Sequence, residues 1–318
     1  MLTGKLHGRL LLSTAQANRA STFTILQQCI RALSLLHAST TIMSRQNFAK
    51  LFESHALNAS FCRLPLQGDL QGRDVLHLEQ RSFNAWPAPQ TLLKGDWALR
   101  LAGGYTKRAN SVNAMQAGVL LDVMLLGEIE QVYTRQGQPC IFRISPLADI
   151  GVDALLQTRG YQMQSPSLFM SRAGQAGDAD GPPIVVDDAV RPAWLDGICR
   201  ANRLSLQDQD FHRAILRSIG LRCGYASIVE SGRAVAWGLA VLERSAVGLY
   251  DVVVEPEMRG QGLGRALIKG LLRWAAEHDA QSVDLQVAGD NHVAQSLYCS
   301  LGFEPVYGYH YRTRALGS

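Results

Sequence analysis

The stretch that most restricts the fold of this 318-residue chain is Val252-Val253-Val254-Glu255-Pro256-Glu257-Met258-Arg259-Gly260-Gln261-Gly262-Leu263-Gly264-Arg265-Ala266-Leu267. Three β-branched residues favour a buried strand, and Pro256 ends it because proline offers the ladder no donor. From Leu263 the apolar residues Leu267, Leu271, Trp274 and Ala275 recur at helical spacing, while Arg265, Lys269, Arg273 and Glu277 form a polar stripe at steps of four. Gly260, Gly262 and Gly264 stand in alternate positions between strand and helix. Lacking Cβ atoms, they let the backbone turn tightly and leave its amides open to a ligand.

A helix start carries unpaired N–H groups and a partial positive charge, so it attracts anions. Arg259 and Arg265 lie at that same end, where the helix dipole alone disfavours cations; a phosphate among them would resolve the conflict. The plainer reading, a glycine-rich turn with solvated arginines, stays open on these residues alone. Two other phosphate loops are excluded. The dinucleotide fingerprint places its third glycine one residue later, and a P-loop needs a Gly-Lys-Ser/Thr that is absent.

Two motifs carry a resemblance. Arg259 to Gly264 fits R/Q-x-x-G-x-G/A, and Asn291-His292-Val293-Ala294-Gln295-Ser296-Leu297-Tyr298 followed by Leu301-Gly302-Phe303 fits N-x-x-A-x-x-L-Y-x-x-x-G-F. With both in order and room for one helix and strand between them, the C-terminal half resembles the GCN5-related N-acetyltransferases. The resemblance implies an α/β fold with a mixed, mostly antiparallel central sheet, splayed at an acetyl-CoA site and flanked by helices.

It also implies roles for particular residues. Arg259, Gly260, Gln261, Gly262, Leu263, Gly264 and Arg265 would hold the pyrophosphate of acetyl-CoA. Val252, Val253 and Val254 would pair with its pantetheine arm like an added strand, one amide polarising the thioester carbonyl. Asn291 would touch the pantetheine or simply cap the last helix. Tyr298 stands where the family keeps a phenol near the sulfur, as general acid, or else is a core aromatic. For the base, Asp251 is preferred over Glu255, Glu243 or a water chain, because strand alternation puts it on the face opposite Val252 and Val254. His292 and His310 read as structural. No His, Cys and carboxylate cluster has metal-ligand spacing, so no metal is expected.

Composition narrows the remainder. With 47% hydrophobic and 18% charged residues and no apolar run of membrane-spanning length, neither a membrane span nor a membrane partner is expected. The six cysteines include no C-x-x-C pair, which favours a reduced, cytoplasmic setting. Residues 1–52 hold Lys5, Arg9, Arg19, Arg31, Arg45 and Lys50 and no acid, so the net +4 leaves −2 elsewhere, and a nucleic-acid partner is rejected.

Residues 1–70 read as a basic, disordered extension; a transit peptide or a true start at Met43 fits the same composition. Residues 71–172 follow the order strand, strand, helix, strand, helix, strand, with Tyr105 to Met115 expected as a strand, and Leu155 to Tyr161 echoes Leu297 to Phe303. No glycine turn falls around Asn113 to Gly118, so this half reads as a degenerate, cofactor-less copy in a tandem arrangement resembling mycothiol-synthase-like members. In it Arg108, Asn110 and Ser111 either satisfy a turn or line a substrate pocket. Residues 173–183 read as a linker and 184–318 as the catalytic domain, with helices at 192–203 and 208–219 that the resemblance places over the acceptor pocket.

The expected activity is acetyl transfer from acetyl-CoA to a primary amine of a small molecule or peptide, by direct attack on the thioester. A mycothiol-synthase-like transfer to an amino-sugar conjugate, or a non-catalytic acetyl-CoA-binding module, are the alternatives. The acceptor and the oligomeric state are not legible.

Overall fold

The computed structural model describes residues 72–175, 177–178 and 184–315; the expectations for residues 1–70 and for most of the linker lie outside them. The elements of the first half are α1 (Gly72–Ala85), β1 (Gln90–Lys94), β2 (Trp97–Leu101), β3 (Val112–Ala114), α2 (Val123–Arg135), β4 (Cys140–Ile144), α3 (Ile150–Thr158) and β5 (Gln162–Ala173). Those of the second are β6 (Val185–Asp187), α4 (Pro192–Ala201), α5 (Leu206–Arg217), β7 (Arg222–Glu230), β8 (Arg233–Glu243), β9 (Ala246–Val254), α6 (Leu263–Glu277), β10 (Ser282–Ala288), α7 (His292–Ser300) and β11 (Glu304–Arg314).

Among the described residues eleven strands join one sheet in the order β1-β2-β3-β4-β11-β5-β10-β9-β8-β7-β6. Each half runs through an antiparallel ribbon and then a parallel crossover, β3-α2-β4 in the first and β9-α6-β10 in the second. The last strands are exchanged. β5 lies between β11 and β10, and β11 lies between β4 and β5, all three pairings antiparallel. The cores follow the exchange: Tyr307, Tyr309 and Tyr311 of β11 pack with the first half's Phe142 and Tyr161, and Leu168 and Met170 of β5 pack with the second half's Leu267 and Val283.

Buried polar groups fasten this seam. The Glu79 carboxylate of α1 accepts from Arg143 Nη2 (2.7 Å) and Nε (2.9 Å) of β4 and from the Tyr307 hydroxyl (2.6 Å) of β11. The Arg143 guanidinium lies 3.5 Å from the centre of the Tyr309 ring. A buried ion pair needs such additional bonds, because the Coulomb term alone does not repay desolvation.

The expected strand at Tyr105 to Met115 shrinks to Val112–Ala114. The reason is Asn110, whose buried Oδ1 accepts from Ala102 N (2.8 Å) and Gly104 N (3.2 Å) and ties residues 102–110 into a loop. Short polar side chains compete with ladder formation in this way. The loop docks on α5 so closely that a Cβ on Gly103 would stand 1.8 Å from Phe211 Cζ. Helix α2 begins at Val123, later than periodicity from 117 suggests, because the Asp122 carboxylate accepts from Leu125 N (2.7 Å) and caps it there.

Candidate functional site

Gly260 and Gly262 adopt φ of +77° and +81°, conformations that L side chains rarely take, and a Cβ on either would meet only open space. Gly262 is the N-cap of α6, whose first intrahelical bond runs from Ala266 N to Gly262 O at 3.0 Å. The amides of Gly260 to Arg265 have no hydrogen-bond acceptor among the described residues. They form a shallow, exposed nest of donors at a helix start, which suits a diphosphate. The Arg259 side chain turns back to Val254 O (3.2 Å) and Arg265 to Ser300 Oγ (2.6 Å), so both cations flank the nest.

The two strands leading to this nest separate. β9 and β10 pair only from Ala246 and Ser282 to Leu249 and Leu285; beyond that Tyr250 to Val254 and Gln286 to Ala288 diverge. The fork leaves main-chain groups of Val252, Val253 and Val254 without a β10 partner, an edge that an extended ligand can complete. Val252 and Val254 face the α6 side, while Val253 faces the α4 side. Tyr298 on α7 packs edge-on to Phe303, and burial pushes its phenol up to about 12. Asn291 caps α7 by accepting from Ala294 N (3.1 Å).

Asp251 lies where β9 bulges. Tyr250 pairs with Leu239 and Val253 with Trp237, so Asp251 and Val252 share the space opposite Gly238, and Asp251 takes φ +50°. Simple alternation would place Tyr250 and Asp251 on opposite faces. The bulge brings both to the α4–α5 side, still opposite Val252 and Val254. There the Asp251 Oδ2 lies 3.1 Å from Nε2 of fully buried His212, within ion-pair range although off the N–H axis. The other ring nitrogen, Nδ1, is 2.9 Å from the Tyr105 hydroxyl. A carboxylate only accepts, so a ring proton on Nε2 is the arrangement that suits Asp251, and it leaves Nδ1 to accept from Tyr105. Burial, then the Asp251 charge, raise the Tyr105 pKa, which keeps that phenol a donor.

Trp86 forms the floor of this group. Its ring stacks on Tyr250 at 5.9 Å and meets His212 edge-on at 5.6 Å, while the Arg108 guanidinium lies 5.5 Å from its centre. Tyr105, Trp86 and Arg108 come from the first half, and His212, Tyr250 and Asp251 from the second. His212 is the residue that sequence reasoning missed. It is a lone histidine inside an amphipathic helix, and its two partners stand 107 and 39 residues away.

The other base candidates are placed elsewhere or otherwise engaged. Glu243 pairs in register with Ala246 at the start of β9 and accepts from Asn84, at the far end of the strand from Asp251. Glu255 is buried between Arg200 (3.1 Å) and Arg233 (3.0 Å). His310 binds Asp153 at 2.8 Å on the first half, and His292 is exposed at the start of α7.

The corresponding crossover of the first half is built differently. Gly118 N and Val119 N donate to Leu147 O (2.8 and 3.2 Å) and Asp149 N donates to Val119 O (2.9 Å), so the chain stitches shut the space between β3 and β4. The carboxylate of Asp122 occupies the start of α2, where a phosphate would be repelled. Among the described residues no helix is long and apolar enough to cross a membrane.

Comparison with known proteins gives one coherent result. The family described as "Probable histone acetyltransferase Rv0428c C-terminal" matches residues 73–314. The chain is similar to "Uncharacterized N-acetyltransferase YobR" of Bacillus subtilis, 28% identical over 246 residues, covering 76% of this chain and 99% of that protein. It is also similar to a mycothiol acetyltransferase of Kytococcus sedentarius, 27% identical over 230 residues that make up 64% of this chain and 73% of that one. Among solved structures, a tandem GNAT protein from the clavulanic acid biosynthesis pathway superposes with a TM-score of 0.57 at 16% identity, over 84% of this chain and 96% of its own.

Proposed function

The chain belongs to the family of the Rv0428c-type C-terminal domain, within the GCN5-related N-acetyltransferases, and on that premise we propose that it transfers an acetyl group from acetyl-CoA to a primary amine at the β9–β10 fork. The observation that carries this reading is a pair of main-chain features joined by the short Glu255–Arg259 turn: the β9 edge at Val252 to Val254, which has no β10 partner, and the amides of Gly260 to Arg265, which have no acceptor among the described residues. Acetyl-CoA supplies an activated thioester and a diphosphate, and this chain offers main-chain donors suited to both. The glycine turn would hold the diphosphate, with Arg259 and Arg265 beside it. The free edge of β9 would fix the pantetheine arm, and one of its N–H groups would stabilise the negative charge that builds on the carbonyl oxygen.

Asp251 would take the proton from the incoming ammonium. His212 Nε2 lies 3.1 Å from its Oδ2, and a small rotation of the ring would align an N–H with that oxygen and leave Oδ1 for the amine, so that Tyr105 and His212 would orient one carboxylate. Tyr298, kept protonated by burial, would return a proton to the departing sulfur. The stitched crossover and the Asp122 cap support a single acyl-donor site, with the first half contributing to the acceptor side only.

Calorimetric titration of the full chain with acetyl-CoA tests this reading. One molecule is expected to bind, and Gly262→Asp to weaken binding at least tenfold, by straining the +81° φ and placing a like charge at the nest. Unchanged affinity in a folded Gly262→Asp variant would remove the glycine turn from the site.

A further inference from the structure

The acceptor side holds a cation whose donors find no partner. Arg108 is half-buried, with its guanidinium 5.5 Å from the Trp86 ring centre and 5.6 Å from that of Tyr250. Those contacts satisfy its faces. Its N–H groups have no hydrogen bond or ion pair among the described residues, whereas Arg100, Arg143, Arg172, Arg200 and Arg312 all donate to carboxylates or carbonyls. Neighbouring carboxylates are engaged elsewhere: Glu79 pairs with Arg143 and Asp284 with Arg81, while Asp251 lies 3.1 Å from His212 Nε2.

This arginine is held in place rather than left to wander. Arg100, almost fully buried, donates to the carbonyls of Arg108 (2.6 Å), Phe83 (3.3 Å) and Trp86, pinning the loop to the end of α1. That helix end favours a cation, and Arg100 fills the place, so Arg108 is not needed there. Asn110 and Ser111, fully buried, serve the loop itself, with Asn110 closing it and Ser111 O accepting from Arg100 N (3.0 Å). Of the three loop residues considered from sequence, Arg108 alone faces the Trp86–Tyr250–His212 group. Lys107 beside it points elsewhere, donating to Ser165 Oγ (2.8 Å) and lying 5.9 Å from the Tyr311 ring centre.

We propose that Arg108 recognises a carboxylate on the acceptor, so that the preferred substrate is a primary amine that also carries a carboxyl group. A planar guanidinium with free N–H donors, packed on aromatic faces, matches one planar carboxylate through paired hydrogen bonds. A single such arginine suits one negative charge, and Lys107 is already engaged with Ser165. The acceptor would set its carboxylate at Arg108 and its amine toward Asp251. This inference rests on the acetyltransferase reading above and adds the acceptor's chemical class to it.

The test is steady-state acetylation of matched acceptors by the full chain: L-leucine against L-leucinamide, β-alanine against propylamine, and phosphoethanolamine as the phosphate arm. The carboxylates are expected to have the higher kcat/KM by about 10- to 100-fold, the range of a hydrogen bond to a charged group. Leucinamide, with the less basic amine, has the chemical advantage, so the comparison is weighted against the proposal. Arg108→Gln should bring the ratio of kcat/KM for acid over neutral acceptor to about one, and Arg108→Lys should keep part of it. Equal losses on acid and amide, no preference in the unaltered enzyme, or a preference for phosphoethanolamine would each overturn the assignment. Turnover without carboxylate preference sinks this inference alone; acetyl-CoA binding with no amine acetylated at all sinks the amine-transfer reading and this one with it.

Discussion

At the scale of residues, Asp251 takes φ +50° at the bulge of β9 and lies beside a buried imidazole. If Asp251 is the base and His212 its orienting partner, the two substitutions have different signatures. Asp251→Asn should lower kcat by about 10² to 10⁴. His212→Gln should cost less and should shift the acidic limb of the kcat profile, since it disturbs the carboxylate's setting and not its presence. Equal losses with unshifted profiles would demote both residues to packing. Tyr298 does not confuse this measurement, because burial moves its titration up to about 12, above the range in which the acidic limb is read. The glycine turn was legible in sequence because φ near +80° demands glycine, and demands of that kind are written in residue identity. His212 was not, because its role comes from Tyr105 and Asp251, brought to it from two other parts of the chain.

Elements were legible wherever one periodicity acted alone. Helix α6 runs from Leu263 to Glu277, the span its apolar and polar stripes define. The loop that carries Arg108 was misread as strand because Asn110 redirects two amides, an effect of one side chain that no period reports. Strand β11 shows how a single carboxylate positions an element. Asp153 of α3 accepts from Arg312 Nε (2.7 Å) and Nη2 (2.9 Å) and lies 2.8 Å from His310 Nε2. Burial alone would raise its pKa, but the Arg312 and His310 bonds prevail and hold it well below the usual carboxylate range. A depressed carboxyl stabilises the fold fully above the unfolded pKa of about 4, and that stabilisation drains away as pH falls toward the folded value. Asp153→Asn should therefore cost about 1–2 kcal/mol in urea unfolding at pH 7, with the gap from the unaltered protein closing as pH falls below about 4. A gap that stays constant with pH would mean the bonds contribute through packing alone.

For the molecule as a whole, the two motifs in the second half point to the fold, while the tandem layout is echoed only faintly in the first. The exchange of β5 and β11 left no sequence sign, because each strand mixes buried apolar or aromatic residues with polar ones and nothing in that mixture names the neighbouring strand. Its energetic weight is testable. A piece spanning 184–318 lacks β5 between β10 and β11, and a piece ending at 175 lacks β11. Each alone should aggregate or dimerise in sedimentation, and mixing the two should restore a one-to-one complex that binds acetyl-CoA; a soluble, acetyl-CoA-binding monomer of 184–318 would contradict this. The same exchange sets a schedule for synthesis. A ribosome making this chain exposes β4 about 160 residues before β11 arrives to cover it, and β5 waits about as long as the whole second half takes to emerge. Nascent chains would thus hold two raw sheet edges until β11 clears the exit tunnel, so the emergence of that strand sets the earliest moment at which the enzyme can begin to work.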